Sequence, residues 1–278
     1  DGAGAEAMQA ERRAMRQDLR QHYVISVAAR FDAALVSDTP FVERLVHFWS
    51  NHFAVSIDKV VTVGFAGLHE FEAIRPHVLG SFTTLAWAAV THPAMLLYLD
   101  QAQSIGPDSL LAQRVGARRA VNNRPIGLNE NLAREILELH TLGVDGGYTQ
   151  ADVTEFARAL TGITIPALAP GPARRLLGAD SVPEGEVSFV PALHQPGART
   201  ILGRSYSAAR DDTQARAIIG DLALHPKTAR HLSFKLARHF VADDPPPALV
   251  DRLTAAWLAG RGDLTRWYQA LLASPEAW

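Results

Sequence analysis

Apolar side chains recur at helical spacing along most of the chain. The clearest early example follows Thr39 and Pro40, which are typical of an N-cap and a first helical residue. In this segment the residues that fall on one face of a helix are Phe41, Leu45, Phe48, Trp49 and His52. The pattern therefore predicts an amphipathic helix that runs through Phe53.

The same spacing predicts helices along most of the sequence. They cover residues 5–30, 67–77, 81–90, 129–141, 150–160, 212–223, 226–241, 248–259 and 263–273. Thr149 and Asp152 have the spacing of a capping box at the start of one of them. Residues 60–63 are β-branched or small, and we expect them to be extended or a loop. Strands and helices do not alternate, so the fold class is all-α, a multi-helix orthogonal bundle.

Residues 163–210 differ because proline and glycine are dense there. Residues 187–189 and 200–202 are expected to pair as a small β-hairpin around His194 and Gly197. We therefore expect one domain over residues 1–278, with residues 163–210 as an insertion or flap and a hairpin or loop excursion around 185–205.

Composition narrows the function classes. Of the 278 residues, 47% are hydrophobic and 20% charged, and the formal net charge is −2. A general role on nucleic acid would need a basic excess, so we expect no nucleic-acid partner. No apolar run reaches the length that spans a bilayer, so we expect no membrane span. The chain has no cysteine, which excludes disulfides, thiolate metal sites and cysteine nucleophiles.

Helix 129–141 carries the best candidate chemistry. Its core stripe is expected to be Leu128, Leu132, Ile136 and Leu139. Asn131, Glu135 and Glu138 stack on another face, where two carboxylates suit a divalent metal or a general acid–base pair. Alternatively, Arg134 and Glu138 form an ordinary ion pair and an asparagine caps the helix. His140 points toward the apolar side and needs a partner for each ring nitrogen.

These residues, with others on separate segments, form the candidate sites. The expected catalytic residues are Glu135, Glu138 and His140. The expected metal ligands, if a divalent metal is the cofactor, are His52, His140, Glu135 and His194. The expected substrate-binding residues are Asn131, Arg134, Lys235 and Arg238. For His52 a satisfied core histidine is the alternative, and for the cationic stripe of helix 226–241 it is a solvated face.

Several segments together resemble the bacterial DUF1800 family. They include residues 44–53 (RLVHFWSNHF), 92–100 (HPAMLLYLD), 129–144 (NENLAREILELHTLGV) and 235–241 (KLARHFV). The resemblance implies an exported, periplasmic or extracellular protein, with an exported phosphatase- or sulfatase-like protein as a partner. At Gln195 the chain departs from the acidic residue that we expect in the family's pattern, which weakens a metal-ligand role for that loop.

Three functions follow as hypotheses. The first is an enzyme with a buried glutamate–histidine site, with or without a divalent metal. The second is a non-catalytic accessory or scaffold protein for the phosphatase- or sulfatase-like partner. The third is an anion- or glycan-binding module that uses the basic stripe. The first depends on acidic and imidazole groups from separate helices meeting in the interior.

Overall fold

The computed structural model describes residues 2–116, 127–168, 182–183 and 185–278, and most of these residues are helical. The helices before residue 117 are α1 (Gly2–Val36), α2 (Pro40–His52), α3 (Val60–Leu68), α4 (Phe82–Thr91), α5 (Pro93–Tyr98) and α6 (Leu110–Gly116). A π-helical turn, His69–Ile74, and a 3-10 turn, Arg75–His77, continue α3. Part of the expected insertion, residues 169–181 and 184, lies outside the described residues.

The second half contains the remaining helices. They are α7 (Asn131–Glu135), α8 (Gln150–Leu160), α9 (Thr213–Ala223), α10 (Pro226–Phe240), α11 (Pro247–Gly260) and α12 (Leu264–Leu272). The π-helical turn Ile136–Thr141 extends α7. The capping box of α8 is present, because Thr149 and Asp152 satisfy each other's main-chain N–H groups. The all-α class with minor β structure is confirmed.

The β structure pairs differently from the expected hairpin. Strand β2 (Ser188–Phe189) pairs with β1 (Ile163–Thr164), and β3 (Arg199–Ile201) pairs with β4 (Arg204–Tyr206), each antiparallel. The predicted pairing of 187–189 with 200–202 is therefore wrong. The partner of β2 is a segment 24 residues earlier, as Thr164 aligns with Ser188, and local turn signals do not specify such long-range partners.

Residues 60–63 are helical, which corrects the expected extended segment. Helix α3 packs closely on α1 at two glycines. A Cβ on Gly67 would lie 2.1 Å from the Cβ of Ser26, and one on Gly64 would lie 2.8 Å from a methyl of Leu19. This close helix packing outweighs the β propensity of the three valines and the threonine.

One hydrophobic cluster joins most of the helices, with buried members from α2 at one end of the chain to α12 at the other. Its largest fully buried side chains include Trp49, Trp257 and Trp267. Trp49 donates a 2.6 Å hydrogen bond to the Tyr268 hydroxyl, which donates in turn to the carbonyl oxygen of Val78. Buried indole and phenol groups thus have polar partners, as burial requires. In the part of the chain that the structure describes, no helix is both long and apolar enough for a bilayer span.

The π-helical turn after α7 changes the face that the helix buries. Leu142 N–H donates to Leu137 O, five residues earlier, at 3.0 Å. This wider turn contains one residue more than an α-helical turn, so the residues after it are shifted along the face. Leu139, expected in the core, is 46% exposed, whereas His140 is 4% exposed. The expected place of Leu139 in the core stripe is therefore wrong.

Candidate functional site

Three histidines and one lysine converge where α2, the π-helical turn Ile136–Thr141 and α10 meet. We call His52, His140, His231 and Lys235 the histidine–lysine cluster. The amine of Lys235 lies 2.8 Å from Nδ1 of His52, and the rings of His52 and His140 have centroids 5.7 Å apart. Helix α2 supplies His52 at its last turn, and α10 supplies His231 and Lys235 one turn apart.

Hydrogen bonds determine the tautomer of His52. As an ammonium group Lys235 can only donate, so Nδ1 of His52 accepts from it. Nε2 of His52 then carries the proton and donates to the carbonyl oxygen of His140 at 3.1 Å. The ring of His52 is therefore neutral and held at both nitrogens. Nδ1 of His140 is buried and has no hydrogen-bond partner among the residues that the structure describes.

Burial makes these imidazoles hard to protonate. Burial, followed by the nearby charge of Lys235, lowers the pKa of His52 well below its ordinary value. The same two causes lower the pKa of His140 to about 3. Burial lowers the pKa of Lys235 as well. Because both rings are neutral near pH 7, the positive charge of the histidine–lysine cluster is concentrated on Lys235.

Phe53 completes the wall around the two buried rings. Its ring centroid lies 4.6 Å from that of His52 and 4.9 Å from that of His140. An aromatic neighbour excludes water without offering a hydrogen bond, which accounts for the strong effect of burial on both imidazoles.

A second π-helical turn brings another histidine near the cluster. His69 begins the turn His69–Ile74 and contributes to the lowered pKa of His140. Nε2 of His69 donates to the carbonyl oxygen of Ala89 at 3.0 Å, and burial lowers its pKa to about 4. The sequence analysis missed His69 and placed His231 only in the cationic stripe of helix 226–241, not beside His52 and His140. His231 had a usable signal, since it lies four residues before Lys235 on one helix face.

Glu135 and Glu138 form a separate group on another side of the same helix. The hydroxyl of Tyr148 donates to Glu138 at 3.1 Å. Burial, followed by the charge of Glu138, raises the pKa of Glu135. A carboxylate beside either ring would raise its pKa, but neither Glu135 nor Glu138 is among the charges that act on His52 or His140. The structure therefore brings His52 and His140 together, but without the carboxylates that were expected beside them.

Arg134 and Asn131 make local contacts at the start of α7. Arg134 pairs with Glu130 at 3.4 Å and donates to the side chain of Gln150 at 2.8 Å. The expected alternative, an Arg134–Glu138 pair, does not occur. The N–H of Asn131 donates to the side chain of Asn129, which lies one residue before the N-cap position, Glu130. The expected asparagine N-cap is therefore wrong, because Glu130 occupies that position and makes no side-chain cap hydrogen bond.

His194 lies in a different environment. Its Nδ1 donates to the carbonyl oxygen of Thr161 at 2.8 Å, and its ring packs on Phe189. The next residue, Gln195, hydrogen-bonds both the backbone N–H and the carboxylate of Asp108. Arg238 is exposed on α10.

Across the described ranges, no group of three or more histidine, aspartate or glutamate side chains is arranged to hold a metal ion.

The comparison with known families decides the relationship. A family model described as "Protein of unknown function (DUF1800)" matches residues 3–278. The chain belongs to the DUF1800 family. No curated protein and no solved structure shows significant similarity to it. The histidine–lysine cluster is therefore described from the structure of this DUF1800 chain alone. Its residues 44–53, 129–144 and 235–241, which carry the resemblance in sequence, supply His52, His140 and Lys235.

Proposed function

We propose that this DUF1800 protein is an enzyme that binds a small anionic substrate at Lys235 and transfers a proton with the amine of Lys235. The observation that carries the proposal is the 2.8 Å contact between this amine and Nδ1 of the buried, neutral His52. Lys235 is partly exposed, so its side chain lies between the buried His52 and solvent.

The hydrogen bonding of Lys235 leaves donors for a substrate. An ammonium group has three N–H donors. One is directed to His52, and among the described residues Lys235 makes no second hydrogen bond and no ion pair with a carboxylate. Since His52 is itself held by the carbonyl oxygen of His140, it fixes the direction of the amine. A substrate carboxylate, phosphate or sulfate would supply the charge that Lys235 lacks nearby.

The charge environment also favours proton transfer by the amine. Helix α10 contains no acidic residue, and burial lowers the pKa of Lys235. A lowered pKa increases the fraction of neutral amine near pH 7, which is the form that acts as a general base. The ammonium form of Lys235 can thus bind the anion and donate a proton to it, and the neutral amine that remains can take a proton up, beside the neutral ring of His52.

Untargeted turnover is the direct test. The purified protein is incubated with a cell-free metabolite extract, and metabolites are followed by mass spectrometry. We expect an acidic metabolite to be depleted by the wild type and not by Lys235→Met. The matched control is Lys227→Met on the same helix, whose exposed amine contacts the carbonyl oxygen of Asp145. Lys227→Met is expected to retain turnover.

The protonation state of Lys235 gives a second readout. Each lysine amine is acetylated with acetic anhydride over a range of pH, and the sites are quantified by peptide mass spectrometry. For each lysine the acetylation rate at each pH is divided by the rate of the same lysine at high pH, which corrects for accessibility. On this scale Lys235 is expected to react at lower pH than Lys227. The proposal fails if Lys235 titrates at or above Lys227 and if no acidic metabolite depends on it.

Export, a phosphatase- or sulfatase-like partner and the accessory role remain predictions from the family resemblance. One feature is relevant to a protein partner. Val24, Phe31 and Leu35 are exposed and lie along one face of α1, at spacings of seven and four residues. The proposed enzyme site lies on other helices and does not depend on what covers this face.

A further inference from the structure

An open groove lies between α9 and the β3–β4 hairpin, with α4 at one side. Its volume is about 590 Å³, within the range of small-molecule sites. The α9 side includes Gln214, Gly220 and Asp221, and α4 contributes Thr83. None of the residues in the histidine–lysine cluster lines it, so the groove is a separate feature of the fold.

The charges in the groove balance each other. Asp221 accepts a hydrogen bond from the Tyr206 hydroxyl at 2.9 Å on one carboxylate oxygen, and its other oxygen lies 2.7 Å from the guanidinium of Arg204. A carboxylate with one partner on each oxygen still has lone pairs for further donors, and Arg204 still has free N–H groups. A neutral wall with both donors and acceptors favours an uncharged polar ligand over an ion.

Gln214, a residue of the groove wall, has a buried amide oxygen that lacks a donor in the described part of the chain. Both amide hydrogens of Gln214 are used, at 2.8 Å to the carbonyl oxygen of Ser207 and 3.2 Å to that of Gly197. These two acceptors fix the orientation of the amide. Its oxygen is buried without a hydrogen-bond partner among the described residues, although the side chain lines the groove. A buried acceptor of this kind is satisfied by an O–H or N–H donor.

We propose that this groove binds a neutral, hydroxyl-rich ligand of the sugar class. Such a ligand offers hydroxyl donors to Asp221 and hydroxyl acceptors to Arg204, and the Gln214 amide oxygen is an acceptor in the same wall that no described residue satisfies. Thr83, Ser205 and Ser207, which carry hydroxyls that can act in either role, also line the groove. Ring hydroxyls at several positions match a wall that contains both donors and acceptors.

Glycine at position 220 allows a matched pair of variants. A Cβ there would lie 3.9 Å from Thr83, which is an ordinary contact, so Gly220→Ala fits. Alanine also favours the helical backbone of α9 more than glycine does. Gly220→Phe keeps the same backbone but projects a ring toward the groove. The pair separates loss of ligand space from loss of fold.

The test is a titration followed by ¹H–¹⁵N correlation spectra of the full chain. The probes are glucose, galactose, N-acetylglucosamine and cellobiose, with sodium phosphate and butylamine as charged comparisons. We expect at least one sugar to shift the amide signals of residues 204–209 and 213–221. Gly220→Ala is expected to bind as the wild type does. Gly220→Phe should weaken binding at least about tenfold, because its ring occupies the ligand volume, while the protein still unfolds cooperatively.

Two results would overturn the proposal. One is that none of the four sugars shifts the groove amides. The other is that Gly220→Phe, shown to be folded by its spectrum, titrates as the wild type does. A shift with phosphate or butylamine alone would show that the ligand class is wrong. Asp221→Asn, which preserves the side-chain shape, is expected to weaken any sugar that binds, because one acceptor oxygen is replaced by a donor.

Discussion

His140 and the pair Glu135 and Glu138 lie on different sides of one short helical segment. They belong to two groups of ionisable residues whose pKa values shift in opposite directions. The histidine–lysine cluster contains neutral imidazoles and one amine, with pKa values lowered by burial. The carboxylate group of Glu135 and Glu138 is partly exposed, and burial raises the pKa of Glu135. In both groups burial disfavours the charged form, so the imidazoles and Lys235 resist protonation and Glu135 resists ionisation.

The separation depends on the π-helical turn. In an uninterrupted α-helix Leu139 would follow Leu132 and Ile136 into the core. The extra residue of the turn instead directs His140 inward, while Leu139 is exposed. Glu135 precedes the turn and Glu138 lies within it, and the carboxylate of Glu138 accepts a hydrogen bond from Tyr148. A local change of backbone hydrogen bonding therefore decides which ionisable group enters the interior.

The largest expected effect tests this shift directly. Ile136→Ala should reduce the free energy of unfolding by about 2–5 kcal/mol, since Ile136 is buried. Leu139→Ala should change it by less than about 0.5 kcal/mol, because Leu139 is exposed. Urea denaturation of both variants measures the difference. Equal losses would mean that Leu139 is in the core and that the turn is α-helical.

The next expected effect is acid sensitivity of the cluster. The folded pKa of His140 is about 3, whereas the ordinary value is 6.5. Between these values the unfolded chain binds a proton that the folded chain does not, so the free energy of unfolding falls as pH falls. One such imidazole contributes up to about 1.4 kcal/mol per pH unit. His140→Gln should have a shallower loss of stability in this window when unfolding is measured at a series of pH values.

A steeper or unchanged pH dependence in His140→Gln would contradict the neutral, buried state of this ring. His22 gives a control, since its side chain is exposed on α1. His22→Gln should leave the slope as it is in the wild type.

The smallest expected effect lies on the carboxylate side and has the opposite sign. Because the pKa of Glu135 is raised, its ionised form destabilises the folded state near pH 7. Glu135→Gln should therefore increase the free energy of unfolding at pH 7, by less than about 1 kcal/mol since the site is partly exposed. The gain should disappear as pH falls below the ordinary value of 4.5. A loss of stability at pH 7 would show that Glu135 has a favourable partner.

Local signals predicted much of the fold. Pro40 marked the start of α2, and Thr149 with Asp152 marked that of α8, because caps and first-turn prolines act within a few residues. Partners distant in sequence were not predictable in this way. The helix at residues 60–63 depends on contact with α1 at Gly64 and Gly67. Strand β2 pairs with β1 and not with β3, the next strand along the chain.

The candidate site was predicted in part for a similar reason. The periodicity of residues 40–53 correctly placed His52 on the buried face, and the helical pattern of residues 226–241 placed Lys235 in a cationic stripe. It did not reveal that these two side chains form a hydrogen bond, because they are 183 residues apart. A single sequence also gives no direct sign of a π-helical turn, so the inward direction of His140 was inferred without its cause.

The π-helical turn Ile136–Thr141 also limits how this segment could be redesigned. Removing one residue from it would produce a straighter, more regular helix and would improve its local backbone geometry. The same deletion would rotate His140 away from His52 and return a leucine to the apolar seam. A search that rewards only helical regularity would thus select against the arrangement on which the proposed chemistry depends.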